Sequence, residues 1–184
     1  MKKQKIQLIL LAIVLLLLVG LYLLVKKTDI FKEEEVKKET FKLIDANMDD
    51  VVGISYQYEG EDISIVKSGD QWIYEKDPSV DLDEDKVSDM IDNATSINSD
   101  TKIEAGEDLS GYGLLNPANT ITLTLTDGSS QSYYIGDQEK MSYKYYAKSS
   151  RDNNIYLVSS IYSSSVAKSI DSIKVEEATE NSED

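Results

Sequence analysis

The chain has 184 residues, 34 of them acidic and 19 basic, with neither cysteine nor histidine. That size allows one ordinary domain beside an anchor. The missing residue types exclude disulfides, Ser-His-Asp and Cys-His catalysis and the usual zinc ligands, so any enzyme here must work with carboxylate, lysine, tyrosine or serine.

Residues 6–25, whose ends are Ile6 and Val25, carry no charge, and sixteen of the twenty are Leu, Ile or Val. At about 1.5 Å per residue a helix of that length spans roughly 30 Å, the hydrocarbon thickness of a bilayer. Sixteen aliphatics at about −0.3 to −0.6 kcal/mol each favour insertion by roughly 5–10 kcal/mol. A cleavable signal peptide would have a shorter apolar region and a small-x-small site, and residues 25–28 (Val-Lys-Lys-Thr) offer none. The expectation is an uncleaved single-pass anchor in a cell membrane. Residues 1–5 then form a cytoplasmic stub, and the long acidic part lies outside.

Lys2, Lys3, Lys5, Lys26 and Lys27 flank the span, so the remaining 157 residues carry 14 basic and all 34 acidic residues, a net charge of −20. Such a charge makes nucleic acid and anionic headgroups poor partners. The lipid bilayer itself, met through the amino-terminal helix, is the one certain contact that the expectation includes.

Residues 26–44 read as a charged stalk. From there to residue 174 the pattern predicts an extracytoplasmic domain, and the last ten residues an acidic disordered tail. Val52, Ile54, Tyr56 and Tyr58 alternate along a first strand, Ile63 and Ile65 lie on a second, and residues 71–76 form a third that holds Trp72. Residues 83–97 predict one convincing helix, with Val87, Met90, Ile91, Ala94 and Ile97 in a single apolar stripe. Asp81 and Glu84 have capping-box spacing. Residues 98–108 are polar, with a short strand around Ile103.

The second half predicts a meander. Ile121, Leu123 and Leu125 alternate with threonines, and Asp127-Gly128 predicts a type I′ hairpin. Three further strands follow, and Ser159 or Ser160 caps a weak last helix carrying Ile161, Val166, Ile170 and Ile173. The fold class expected is α+β: an antiparallel sheet of six or seven strands with one main packed helix, preceded by a single transmembrane helix.

Three motifs imitate sites of chemistry, and each has a plainer reading. Ser-x-x-Lys occurs at Ser64/Lys67 and Ser165/Lys168, without the Lys-Thr-Gly that accompanies it in penicillin-binding proteins. Asp81, Asp83 and Asp85 imitate calcium-loop spacing, but Lys86 and Asp92 stand where glycine and glutamate belong, so helix capping explains them better. Gly111-Tyr112-Gly113 begins like a dinucleotide loop, but Asn116 replaces the third glycine. No catalytic, metal or cofactor residues are expected. Eleven tyrosines lie outside the apolar run, Tyr133/Tyr134 and Tyr143/Tyr145/Tyr146 among them, and some of these rings should remain at the surface.

Several features then stand in order: Trp72 and Pro78 before the helix; Asp108-Leu109-x-x-Tyr112-Gly113-Leu114 before Pro117-Ala118; Asp127-Gly128; Ile135-Gly136; Tyr145-Tyr146-Ala147; and Ile155-Tyr156-Leu157-Val158. This arrangement resembles the bacterial family called domain of unknown function 4340, over about residues 71–161. Leu115 stands where a polar residue usually follows Tyr-Gly-Leu, and many relatives hold several copies where this chain has room for one. The resemblance implies an amino-terminal anchor, association of some members with transporters of the ATP-binding-cassette type, and no established catalytic residues. Trp72, Tyr112, Gly113, Leu114, Pro117, Asp127, Gly128 and Gly136 are expected to be structural. The function expected is that of a non-enzymatic accessory or scaffolding component of an envelope complex. The alternative is a tethered binding or sensing domain for a cell-envelope glycan or peptide.

Overall fold

The structure is a computed structural model that describes residues 2–27, 39–104 and 108–176. It falls into two compact units, Met1–Lys38 and Glu39–Asp184. In the first unit, residues Lys2–Lys27 form helix α1. Its stretch Lys3–Leu24 is long and apolar enough to cross a membrane, and none of it is buried. Of the stalk expected at residues 26–44, residues 28–38 lie outside the described residues.

The second unit is a mixed α+β domain. It begins with β1 (Phe41–Lys42), β2 (Val51–Tyr58), β3 (Glu61–Ser68) and β4 (Gln71–Tyr74), then helix α2 (Glu84–Thr95). After β5 (Asn98–Ser99) and β6 (Lys102–Ile103) come β7 (Asn119–Leu125), β8 (Ser130–Gln138), β9 (Tyr145–Ser149) and β10 (Ile155–Val158). Helices α3 (Ser160–Val166) and α4 (Ile170–Ile173) follow. Eight strands make one antiparallel sheet in the order β4-β3-β2-β7-β8-β9-β10-β6, and β1 pairs separately with β5. The expected count of six or seven falls short because the short strand expected around Ile103, β6, joins the same sheet by pairing with β10.

One face of this sheet is dry. Ile54, Ile65, Ile121, Leu123, Tyr133 and Ile135 meet the α2 stripe of Val87, Met90, Ile91 and Ala94 in a single core. The other face is hydroxylic: Ser64, Ser55, Thr122 and Ser132 lie in register across four strands, and the last two are hydrogen-bonded at 2.8 Å. Alternation of apolar and polar residues is what divides the two faces.

The stalk expected at residues 26–44 ends too late. Leu43 and Ile44 are wholly buried, and the Leu43 carbonyl accepts the buried Ser149 hydroxyl at 2.6 Å. Two adjacent apolar residues carry no periodic signal, and the hydrogen-bond partners of Leu43 (Ile97 and Ser149) lie far along the chain. The first strand also departs from simple alternation. A bulge between Val51 and Gly53 buries Val51 as well as Ile54 and leaves Val52 half-buried.

Two turns differ from expectation in an instructive way. At Asp127-Gly128 only the glycine has positive φ, +82°. The Asp127 carboxylate instead accepts the Ser129 amide and hydroxyl, so the hairpin is wider than a two-residue type I′ turn. Positive φ at two successive residues occurs at Glu59 (+50°) and Gly60 (+85°), which join Tyr58 to its partner Glu61.

Asp83, rather than Asp81, caps α2, accepting from the Asp85 and Lys86 amides at 3.1 Å each, while Glu84 turns away to bond the Trp72 amide. Asp83→Ala is expected to cost about 1 kcal/mol, read from denaturant unfolding. The weak last helix is two helices, because Ser169 caps α4 through the Ser172 amide while the Lys168 carbonyl accepts the Tyr56 hydroxyl. Of the expected tail, residues 175 and 176 still touch the fold, since the Val175 amide bonds the Asp81 carbonyl. Residues 177–184 lie outside the described residues.

Candidate functional site

Tyr112 closes a short turn over Ser110–Tyr112, and Gly113 follows at φ +68°. Leu114 is then buried, and Pro117 is half-buried ahead of β7. This loop lies directly on the bulge of β8 where pairing with β9 shifts between Ile135 and Gln138. A Cβ placed on Gly136 would stand 2.1 Å from the Tyr112 carbonyl, and one on Gly113 would stand 2.5 Å from the Asp137 carboxyl carbon. The Tyr112 ring meets Tyr146 of β9 edge-on at 4.9 Å. The structure thus brings Tyr112, Gly113, Leu114 and Gly136 into one lock. Trp72 stands apart on the outer strand β4, with the Lys67 ammonium over its ring, and Asp127 and Gly128 lie in the β7–β8 hairpin.

Beyond Ser55 and Thr122 the pairing of β2 with β7 stops. The Asn119 side chain spans the opening, accepting the Gln57 amide at 3.0 Å and donating to the Gln57 carbonyl at 2.7 Å. The separated strands form one wall of a cleft of about 660 Å³, lined by Tyr58, Glu59, Asn119, Tyr145 and Ser164 among others. A second depression of about 330 Å³ shares Tyr58 and Glu59 and adds Glu61, Tyr74 and Asp171. Both volumes fall in the range of small-molecule sites. Among the described residues no lysine or arginine lines either. Tyr74 is only 7% exposed, and its hydroxyl has no partner among the described residues.

A third feature is the loop between β8 and β9. The Glu139 carboxylate accepts the Met141 and Ser142 amides and the Ser142 hydroxyl at 2.6–3.1 Å. These bonds, those from Ser142 foremost, hold its carboxyl below the usual glutamate range. Lys144 is tied to Asp100 at 2.7 Å. So braced, the loop displays Met141 at 89% and Tyr143 at 71% exposure, the latter at φ +58°. Leu115, beside the lock, is exposed as well.

The first serine–lysine motif does not assemble: the Ser64 hydroxyl bonds Glu75 while Lys67 covers Trp72. Ser165 and Lys168 line one depression of about 310 Å³, where the Ser165 hydroxyl is buried without a partner among the described residues. Among the described residues no group of three or more acidic side chains is placed to hold a metal.

The tyrosines divide by environment. Tyr133 is fully buried with an unpartnered hydroxyl, and burial drives its pKa far up. Tyr133→Phe is expected to leave stability unchanged or raise it by about 1 kcal/mol, since an orphaned buried hydroxyl is a cost. A loss of that size in denaturant unfolding would reveal a partner for the hydroxyl.

A family model described as Domain of unknown function (DUF4340) matches residues 72–182 in a single copy. The chain belongs to the DUF4340 family. Neither curated proteins nor solved structures yield a significant match. The DUF4340 match takes in the lock, the braced loop and the Tyr74, Asn119 and Tyr145 walls of the clefts. Gln57, Tyr58, Glu59 and Glu61 precede it, so the clefts join DUF4340 residues to the hairpin ahead of them.

Proposed function

We propose that this chain is a membrane-anchored, extracytoplasmic, non-enzymatic domain. In this reading it serves as an accessory or scaffolding component of an envelope complex, with a transporter of the ATP-binding-cassette type as the first candidate. The observation that carries the reading is the braced loop: a carboxylate bonded by three donors holds Met141 and Tyr143 out in water. Large apolar side chains on a rigid loop are the usual anchors of a protein partner. Lys2, Lys3 and Lys5, ahead of the apolar run, are the residues that would keep the amino-terminal end on the cytoplasmic side in this reading.

Photo-crosslinkers at positions 141 and 143 in intact membranes should capture one recurring partner, and Met141→Ser with Tyr143→Ser should abolish its co-purification. Repeated recovery of the unaltered protein alone in mild detergent would refute the complex. Because the chain has no cysteine, a single Ser150→Cys label with a membrane-impermeant maleimide tests orientation independently.

The clefts favour a second reading, a tethered domain that binds a cell-envelope glycan or peptide. Tyr58 and Tyr145 supply rings, while Glu59, Ser160 and Ser164 supply polar groups. Fluorescence of Trp72 and the tyrosines, titrated with cell-wall fragments, should change saturably. A flat response across a broad panel would end this reading.

A further inference from the structure

We infer that the paired clefts take a ligand bearing an alkylammonium group, with the ammonium seated where the two depressions meet at Tyr58 and Glu59. The inference deepens the second reading above and rests on it. Three independent features point the same way.

The first is the lining itself. Both depressions hold carboxylates, hydroxyls and tyrosine rings, the larger adds the Gln57 and Asn119 amides, and among the described residues neither is lined by a cationic side chain. The nearest ammoniums, Lys76 and Lys174, are engaged by Glu61 and Asp171 at the smaller depression, whereas a cation at Glu59 meets a carboxylate and ring faces, each attractive to it.

The second is Tyr74. It is more than nine-tenths buried, it lines the smaller depression, and its hydroxyl is bonded to nothing among the described residues. Unlike the Tyr133 hydroxyl it is not sealed off, so it opens into the depression, where a phenol oxygen accepts a hydrogen bond from an ammonium as readily as from water. Its neighbour Tyr56 shows the contrast, with its own hydroxyl donated to the Lys168 carbonyl at 2.8 Å.

The third is the balance of charge. Glu61 is already paired with Lys76 at 3.6 Å and Asp171 with Lys174 at 2.8 Å. Glu59, common to both depressions, makes no hydrogen bond or ion pair among the described residues. One uncompensated carboxylate at the junction matches one ammonium. The larger depression, with Asn119, Ser160 and Ser164, is left for the neutral body that carries it.

An ammonium of this kind could belong to an amino sugar or to a lysine-like side chain in a peptide, so the test separates them. Full-length protein in nanodiscs is titrated calorimetrically with a glucosamine tetramer and with a capped Gly-Lys-Gly peptide, each beside its N-acetylated form, at 150 and 500 mM salt. At least one charged ligand should bind saturably at both salt concentrations, with its acetylated form at least tenfold weaker; whichever does so names the source.

Glu59→Gln and Tyr74→Phe should each weaken that binding at least fivefold. Asp92→Asn, remote on α2, should leave it unchanged. Tyr74→Phe removes only an unbonded hydroxyl, so it serves even if Glu59→Gln disturbs the hairpin.

Equal weakening by Asp92→Asn, or loss of all binding at 500 mM salt, would reduce the effect to diffuse attraction by an acidic protein and overturn the inference. Acetylated ligands that bind equally well, and are still weakened by Tyr74→Phe, would overturn the ammonium while leaving the binding cleft standing. No binding by charged or neutral forms would remove both.

Discussion

Gly136→Ala should be the most damaging single-atom change in the folded unit, lowering stability by about 3 kcal/mol or more. The added methyl would sit 2.1 Å from the Tyr112 carbonyl oxygen and about 3 Å from two Leu114 carbons. Overpacking typically costs about 1–3 kcal/mol when side chains can yield. Here the nearest obstacle is backbone, held by a turn whose Tyr112 and Gly113 amides bond back to Leu109 and Ser110. Relief therefore requires lifting the whole loop, which withdraws buried Leu114 and parts Tyr112 from Tyr146. For a unit of this size each kcal/mol moves the melting temperature by roughly 3 °C, so a drop near 10 °C is expected in calorimetry. Gly128→Ala is the control. Gly128 has a positive φ, +82°, which Gly136 does not, but nothing within 4 Å, so the change should cost only about 1–2 kcal/mol of backbone strain. If the two variants melt together, the close approach at Gly136 carries no weight and the lock is not what holds this loop.

The two glycines also show what a sequence can and cannot reveal. Gly136 and the Tyr-Gly-Leu loop are separable in sequence only as a pattern of spacing, and the contact that explains both lies across about twenty residues. Where the cause is local, the reading succeeds. The α2 stripe of Val87, Met90, Ile91 and Ala94 is buried as its spacing predicts, and Ile121, Leu123 and Leu125 face the core while the intervening threonines do not. Where the cause is distant, the reading fails. Leu43 and Ile44 look like part of a stalk until the residues that bury them are known. Val52 leaves the face of Ile54 because a bulge, which alternation cannot encode, intervenes.

The clefts are the extreme case. They exist because Asn119 substitutes its amide for a strand pairing with Gln57, sixty-two residues earlier, and nothing in either residue's neighbourhood announces the gap. The one local signal was Glu59-Gly60, whose two positive φ angles meet the requirement of a tight hairpin that Asp127-Gly128 declines. Aspartate at position 127 has a better local option, because its carboxylate can bond Ser129, whereas Glu59 makes no such bond.

Replacing Leu15, Leu16 and Leu17 by arginine should release the chain from membranes. Each substitution removes about 0.3–0.6 kcal/mol of favourable insertion and adds roughly 2.5–3.5 kcal/mol of cost near the helix centre. Three together cost about 8–12 kcal/mol, enough to offset the roughly 5–10 kcal/mol that sixteen aliphatic residues provide. One substitution alone leaves a surplus, so Leu16→Arg should remain membrane-bound after carbonate extraction while the triple variant appears in the soluble fraction. The helix over Lys2–Lys27 presents apolar side chains around its circumference rather than along one stripe, and none of its span is buried by protein. An interfacial helix, with one apolar and one charged face, would lose binding gradually with each arginine, not across a threshold. The shape of the response therefore distinguishes a spanning helix from one lying on the surface. Amino-terminal sequencing of the unaltered membrane fraction closes the remaining route, because a mature chain starting after residue 25 would mean that the apolar segment directs export and is then removed.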